Sequence, residues 1–164
     1  MGWNENQYNA SSDTWGTPPA VLEPIYEHFG EIGLDPCAAG LEPEPVKAEL
    51  YYGPRHARRD GLIYPWDSHE LVYVNPPFSY VAPWVEKAAK EGDEVILLVP
   101  CRTGSVWWQT WVAPADVILF WNGRLTFVGA KHTAPFHCAL IYWGTRPELF
   151  LKAFPGHWYV RNGA

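Results

Sequence analysis

Apolar positions along the chain recur at two spacings, and each spacing predicts an element. In "TWGTPPAVLEPIYEHFG", Val21, Leu22, Ile25 and Phe29 fall on one helical face. Thr17 can cap that helix, Pro18 suits its first turn and Gly30 can stop it. Pro24 inside it predicts a kink or two short helices, because an interior proline costs about 3 kcal/mol. "EIGLDPCAAG" reads as a short strand ending at Asp35-Pro36. Residues 40–59 read as a loop with room for one helical turn, and "DGLIYPW" as a turn followed by a short extended piece. "HELVYVNPP" is a strand that must end at Asn75, since neither following proline can donate to a ladder. A helix from Pro83 to Gly92 follows. The wholly apolar "DEVILLVP" predicts a central strand covered on both faces. "GSVWWQTWVA" looks helical, with Ser105 as its cap. Asn122-Gly123 between "DVILFW" and "RLTFVG" predicts a two-residue hairpin turn. "FHCALIYWG" is a further strand and "PELFLKAF" a closing helix.

Strands and helices that alternate, then an antiparallel hairpin, imply a three-layer α/β fold. Its sheet is mostly parallel, with the hairpin at one edge. Asp35, Asn75 and Pro100 then lie near the same sheet edge, where ligands bind in such folds. A polar arm, residues 1–14, is expected to be flexible, and residues 15–164 to form one domain. The net charge of −6 excludes a general polyanion binder but leaves room for a local basic patch. Three cysteines without a pairing pattern, and a start lacking an apolar export segment, point to a reducing compartment. The longest apolar runs are too short to cross a membrane, so a soluble cytoplasmic protein is expected. The histidines and cysteines have no metal-ligand spacing, and no metal site is expected. Trp107, Trp108 and Trp111 suit a core or an oligomer interface better than a base-stacking platform.

The tetrapeptide Asn75-Pro76-Pro77-Phe78 carries the sharpest chemistry. An exocyclic amine on a nucleobase is a poor nucleophile, because its lone pair is delocalised into the ring. Two carbonyl oxygens that accept its N–H protons would return electron density to the nitrogen. The Asn75 side chain supplies one, and the Pro76 carbonyl, on a rigid diproline backbone, the other. Phe78 would stack on the base and hold it for in-line attack. A base so held must have left the double helix or be single-stranded. Taken alone, the tetrapeptide reads equally as a strand-ending turn in which Asn75 caps the next segment.

An ordered set of segments adds a resemblance. "DTWGTP" (13–18), "GLDPCAA" (33–39), "DGL" (60–62) with Trp66, "YVNPPFSYVAPWVEKAAKEG" (73–92), "VILLVPCRT" (95–103), "GRLTFVG" (123–129) and "PFHCALIYWG" (135–144) together resemble the phage-type Dam family of DNA adenine-N6 methyltransferases. The resemblance implies a methyltransferase-type, Rossmann-like sheet and S-adenosylmethionine as methyl donor. It implies catalytic roles for Asn75, Pro76, Pro77 and Phe78. Trp15, Thr17 and Pro18 take the segment against the donor's methionine end, Asp35, Pro36, Cys37 and Ala38 the first donor motif, and Asp60 the acid near its adenine or ribose. A carboxylate suits the donor's ammonium and sulfonium. On their own, Asp35 and Asp60 read as turn residues and Cys37 as a packing residue. The Gly-rich first loop of many methyltransferases is replaced by "DPCAAG", and there is little room for a separate target-recognition domain.

DNA is the implied partner, duplex with a flipped base or single-stranded. The candidate phosphate contacts are Arg55, Arg58 and Arg59 in "PRHARR", with Arg102, Arg124 and Lys131 in loops after strands. A homo-oligomer could focus such sparse positive charge. The resemblance also implies a phage or prophage origin and action in a bacterial cytoplasm. Cytosine N4, RNA adenine, protein glutamine, or a catalytically silent nucleic-acid binder on the same fold are the alternatives.

Overall fold

The computed structural model describes residues 15–56, 59–67 and 69–163. The predicted arm, residues 1–14, and Arg58 lie outside the described residues. One seven-stranded sheet organises the rest. Its strands are β1 (Ile32–Asp35), β2 (Ala48–Tyr51), β3 (Val72–Val74), β4 (Val95–Pro100), β5 (Val117–Phe120), β6 (Cys138–Trp143) and β7 (Trp158–Arg161). The order across the sheet is β2-β1-β3-β4-β6-β5-β7. The first four in that order are parallel, with Val72 opposite Val95 and Val74 opposite Leu97. β6 pairs antiparallel with both β4 and β5, and β7 pairs antiparallel with β5.

The apolar strands are apolar because both faces are covered. Helices α1 (Pro19–Phe29) and α3 (Pro147–Ala153) close one face. Val21, Leu22, Ile25 and Phe150 pack there on Tyr73, Ile96, Leu98 and Leu140. Helix α2 (Ala82–Glu91) and a single π-helical turn, Trp108–Val112, close the other. Trp84, Val85, Trp108 and Val112 meet Val74, Leu97, Val99 and Ile141 on that side. Alternate residues of β4 thus feed opposite layers, as the two-residue period of a strand requires. This is the mixed three-layer α/β fold that the alternation predicts.

Local expectations fared unevenly. α1 runs unbroken through Pro24. The carbonyl that would bond to a residue at 24 belongs to the exposed Ala20, where water can take the lost donor's place. Pro18, not Thr17, occupies the cap position, and Gly30 ends the helix at φ 84°. β2 falls where a loop with one turn was expected, and β7 was not expected. β2 is partly exposed along its length and β7 fully so, and neither carries a distinct alternation. "DGLIYPW" forms a turn without a strand. Ser105 does cap its segment, its Oγ accepting from Trp108 N at 3.4 Å. Antiparallel strands do fill that end of the sheet, but not around Asn122-Gly123. β6 and β7 occupy the two flanks of β5, so no ladder position remains for residues 124–128.

The directions of the strands place the site. β1, β3, β4 and β5 run the same way, so Asp35, Asn75, Cys101 and the loop 121–137 all emerge at one sheet edge.

Candidate active site

Asn75 leaves β3 directly into the diproline corner, where Pro76, Pro77 and Phe78 are buried. A short 3-10 turn, Phe78–Tyr80, then leads into α2. The Asn75 side chain is half-buried, and its Nδ2 donates to the Trp15 carbonyl at 2.9 Å. A backbone carbonyl can only accept, so this contact settles which way the amide faces. The NH2 group is engaged and Oδ1 is turned elsewhere. Among the described residues, neither Asn75 Oδ1 nor the Pro76 carbonyl accepts a hydrogen bond. Asn75 therefore does not cap the segment that follows it.

Trp15 is held from two sides. Gly16 exchanges both backbone hydrogen bonds with Val128, at 3.2 and 2.8 Å. Thr17 Oγ1 lies 3.0 Å from the hydroxyl of Tyr73, two residues before Asn75 on β3. Burial raises the Tyr73 phenol well above its ordinary value, so it stays neutral in that pair. A Cβ at Gly16 would sit 2.5 Å from Pro45 Cγ and 2.9 Å from Val128 Cβ, so only glycine permits this approach.

Phe78 packs edge-on against Phe127 and Phe136, with ring centroids 5.8 and 5.5 Å away. Trp15, Asn75, Pro76, Phe78 and Phe127 line a narrow recess of about 10 Å³. Trp15 and Phe127 also border a pocket of about 430 Å³, whose other walls are residues 129–136. The larger pocket has room for a nucleoside and is mostly apolar. Lys131 on this loop is one of the sequence candidates, whereas Phe127 and Phe136 are functional candidates without a signal of their own in the sequence. The hairpin expectation had assigned residues 124–128 to the sheet.

Asp35 ends β1 buried, its Oδ1 accepting from Cys37 N at 3.0 Å. Burial pushes its carboxyl up to about 8, against the Cys37 hydrogen bond, and the nearby Glu44 charge adds to the rise. Pro36, Cys37 and Ala38 follow and are buried. Gly61 packs so tightly on the Pro36 carbonyl that any Cβ would overlap it, which brings Asp60 beside this loop. Asp60 Oδ1 is engaged by Leu62 N at 2.8 Å. Glu44 was also missed. Its Oε1 accepts from Gly40 N at 2.8 Å and lies 2.9 Å from His56 Nε2. Its Oε2 is buried without a partner, the one such side-chain atom among the described residues. A lone glutamate in a loop offers no sequence signal for this.

The basic candidates divide. Arg102 Nη1 donates to the Phe78 carbonyl at 2.8 Å, and Lys131 lines the large pocket, so both border the site. Arg124 is exposed on the same loop as Lys131. Arg55 packs near Gly40, and Arg59 lies over the rings of Tyr52 and Tyr64, 5.8 Å from each, so both sit toward Asp35 and Asp60. Burial pushes the Cys101 thiol up to about 11 and the Cys138 thiol up to about 12, which keeps both protonated and poorly nucleophilic. Among the described residues, no helix is long and apolar enough to cross a membrane.

A model of the DNA N-6-adenine-methyltransferase (Dam) family matches residues 4–141. A DNA N-6-adenine-methyltransferase of Escherichia phage T1 is 25% identical over 124 residues, which are 74% of this chain and 50% of that protein. The chain thus spans about half the length of the curated relative it matches.

Proposed function

Because the chain belongs to the DNA N-6-adenine-methyltransferase (Dam) family, we propose that it moves a methyl group from S-adenosylmethionine to N6 of adenine in DNA. One observation carries this reading. Asn75 Oδ1 and the Pro76 carbonyl are two acceptors without a bond from the described residues, beside a pocket of nucleoside size. An adenine amine offers two N–H protons, and two carbonyl oxygens match them. Accepting both localises the lone pair on nitrogen and stabilises the positive charge that develops there. Phe78, braced by Phe127 and Phe136, offers a ring at the recess to hold the base. As the nitrogen–methyl bond forms, the amine becomes cationic and releases a proton to water. No strong base and no covalent enzyme intermediate is needed.

S-adenosylmethionine, when bound, supplies an electrophilic methyl group. The residues that would hold it are Trp15, Thr17 and Pro18 on one side and Asp35, Pro36, Cys37, Ala38 and Asp60 on the other. Their chemistry fits the donor. Asp35 places a carboxyl group at a strand end, protonated near neutral pH in the donor-free chain and favoured in its charged form by a bound cation, and the unpaired Glu44 Oε2 awaits a hydrogen-bond donor of the kind an ammonium or a ribose hydroxyl provides.

DNA reaches the site as single strand or with its target base flipped out, since a stacked base cannot enter the pocket. Phosphate contacts at the rim are assigned to Arg102, Lys131 and Arg124, supported by Arg102 bonding the Phe78 carbonyl, Lys131 lining the pocket and Arg124 being exposed on the same loop. The reading places the reaction in the cytoplasm of a bacterial host. The test is incubation with methyl-labelled donor and, separately, duplex DNA, single-stranded DNA, RNA and protein. N6-methyladenine in digested DNA is the expected product. Label confined to cytosine, RNA or protein would overturn the reading.

A further inference from the structure

We propose that the backbone carbonyl of Trp15 is a positioning group that restricts position 75 to a side chain able to donate to it, so that asparagine, and not ionised aspartate, serves there. The inference rests on the methyl-transfer reading for its kinetic arm only.

The geometry is over-determined. Asn75 Nδ2 donates to the Trp15 carbonyl at 2.9 Å. That carbonyl cannot drift, because Gly16 is bonded twice to Val128 and Thr17 is bonded to Tyr73. Tyr73 is on β3 itself, so the anchor lies on the strand that delivers Asn75 one residue past its end. Aspartate has the same shape as asparagine but only acceptors when ionised. One carboxylate oxygen would then face the Trp15 carbonyl, acceptor against acceptor, in a half-buried corner. The side chain would have to rotate, and the oxygen meant for the amine would move with it. Protonation restores the match: the carboxyl O–H donates to Trp15 and the remaining C=O takes the place of Oδ1. The clash is one of hydrogen-bond sense, so a positively charged neighbour shifts the pH at which it disappears but does not remove it. Arg102 is committed to the Phe78 carbonyl. Lys131 and His132 lie on the pocket loop beside Trp15, Asp35 is acidic, and the Tyr73 phenol is tied to Thr17.

The Asn75→Asp variant therefore gains a proton requirement that the wild type lacks. Methyl transfer by both proteins is measured from about pH 6 to about pH 9, and the variant rate is divided by the wild-type rate, so that titrations common to both proteins cancel. The ratio is expected to rise as pH falls, by up to about tenfold per pH unit. Donor affinity, read by calorimetry, should stay within about threefold of wild type, because the contact concerns the acceptor's amine. A ratio that is flat with pH, or a variant that binds donor yet transfers nothing at any pH, overturns the proposal. The wild-type protein tests the contact without a variant. Isotope-labelled protein should show scalar coupling across the hydrogen bond between Asn75 Nδ2 and the Trp15 carbonyl carbon, and its absence also overturns the proposal. If the wild type methylates nothing while this coupling is present, the function fails and the positioning contact stands.

Discussion

Burial changes the chemistry of Asp35. Burial pushes its carboxyl up to about 8, whereas an aspartate in the unfolded chain titrates near about 3.9. Between those values the folded chain holds a proton that the unfolded chain has released. Stability of the donor-free protein is therefore expected to fall as pH climbs from about 4 to about 8. Melting temperatures across this window should show the decline in the wild type and a flatter profile in Asp35→Asn. Parallel declines in both would assign the effect to other groups. Glu44 makes a second prediction at this scale. Its unpaired oxygen is expected to accept a donor-ligand hydrogen bond worth about 1.5–3 kcal/mol, so Glu44→Gln should weaken S-adenosylmethionine binding by about tenfold or more. Unchanged affinity in calorimetry would remove Glu44 from that site.

At the scale of elements, the segment 15–18 and the loop 121–137 hold each other in place through the Gly16–Val128 pair. A methyl group at Gly16 would press on Pro45 and Val128. Gly16→Ala is expected to cost about 1–3 kcal/mol by overpacking and to slow transfer through the displaced Trp15 carbonyl. A melting temperature and a turnover rate both equal to wild type would contradict that. The same elements show what could be read beforehand. β1, β3, β4, β6, α2 and α3 were legible, because strong apolar runs end at proline, glycine or aspartate. The diproline corner was legible for the same reason: two prolines after a strand leave no other local structure. The loop 121–137 was misread, because Asn-Gly chemistry permits a hairpin but cannot report that β6 and β7 already flank β5. Phe127, Phe136 and Glu44 were invisible, since their roles arise from long-range packing. β2 and β7 were missed because partly or fully exposed edge strands need no apolar pattern.

Across the whole molecule, a net charge of −6 sets the terms on which DNA can be met. Under the proposed function, binding rests on a few cations at one sheet edge, with Arg102, Lys131 and Arg124 nearest the pocket. Each phosphate so neutralised contributes about −0.9 to the slope of log affinity against log salt on duplex DNA. Lys131→Ala should weaken binding to unrelated sequences alike and reduce that slope by about one unit. An unchanged slope would place DNA elsewhere on the surface. The central claim concerns the two oxygens at the diproline corner, and Asn75→Ala tests it most directly. Methyl transfer to DNA and donor affinity are measured side by side on the wild type and the variant. Transfer is expected to fall by about a hundredfold to a thousandfold, with donor affinity held within about threefold. Transfer by Asn75→Ala near the wild-type rate would contradict the account.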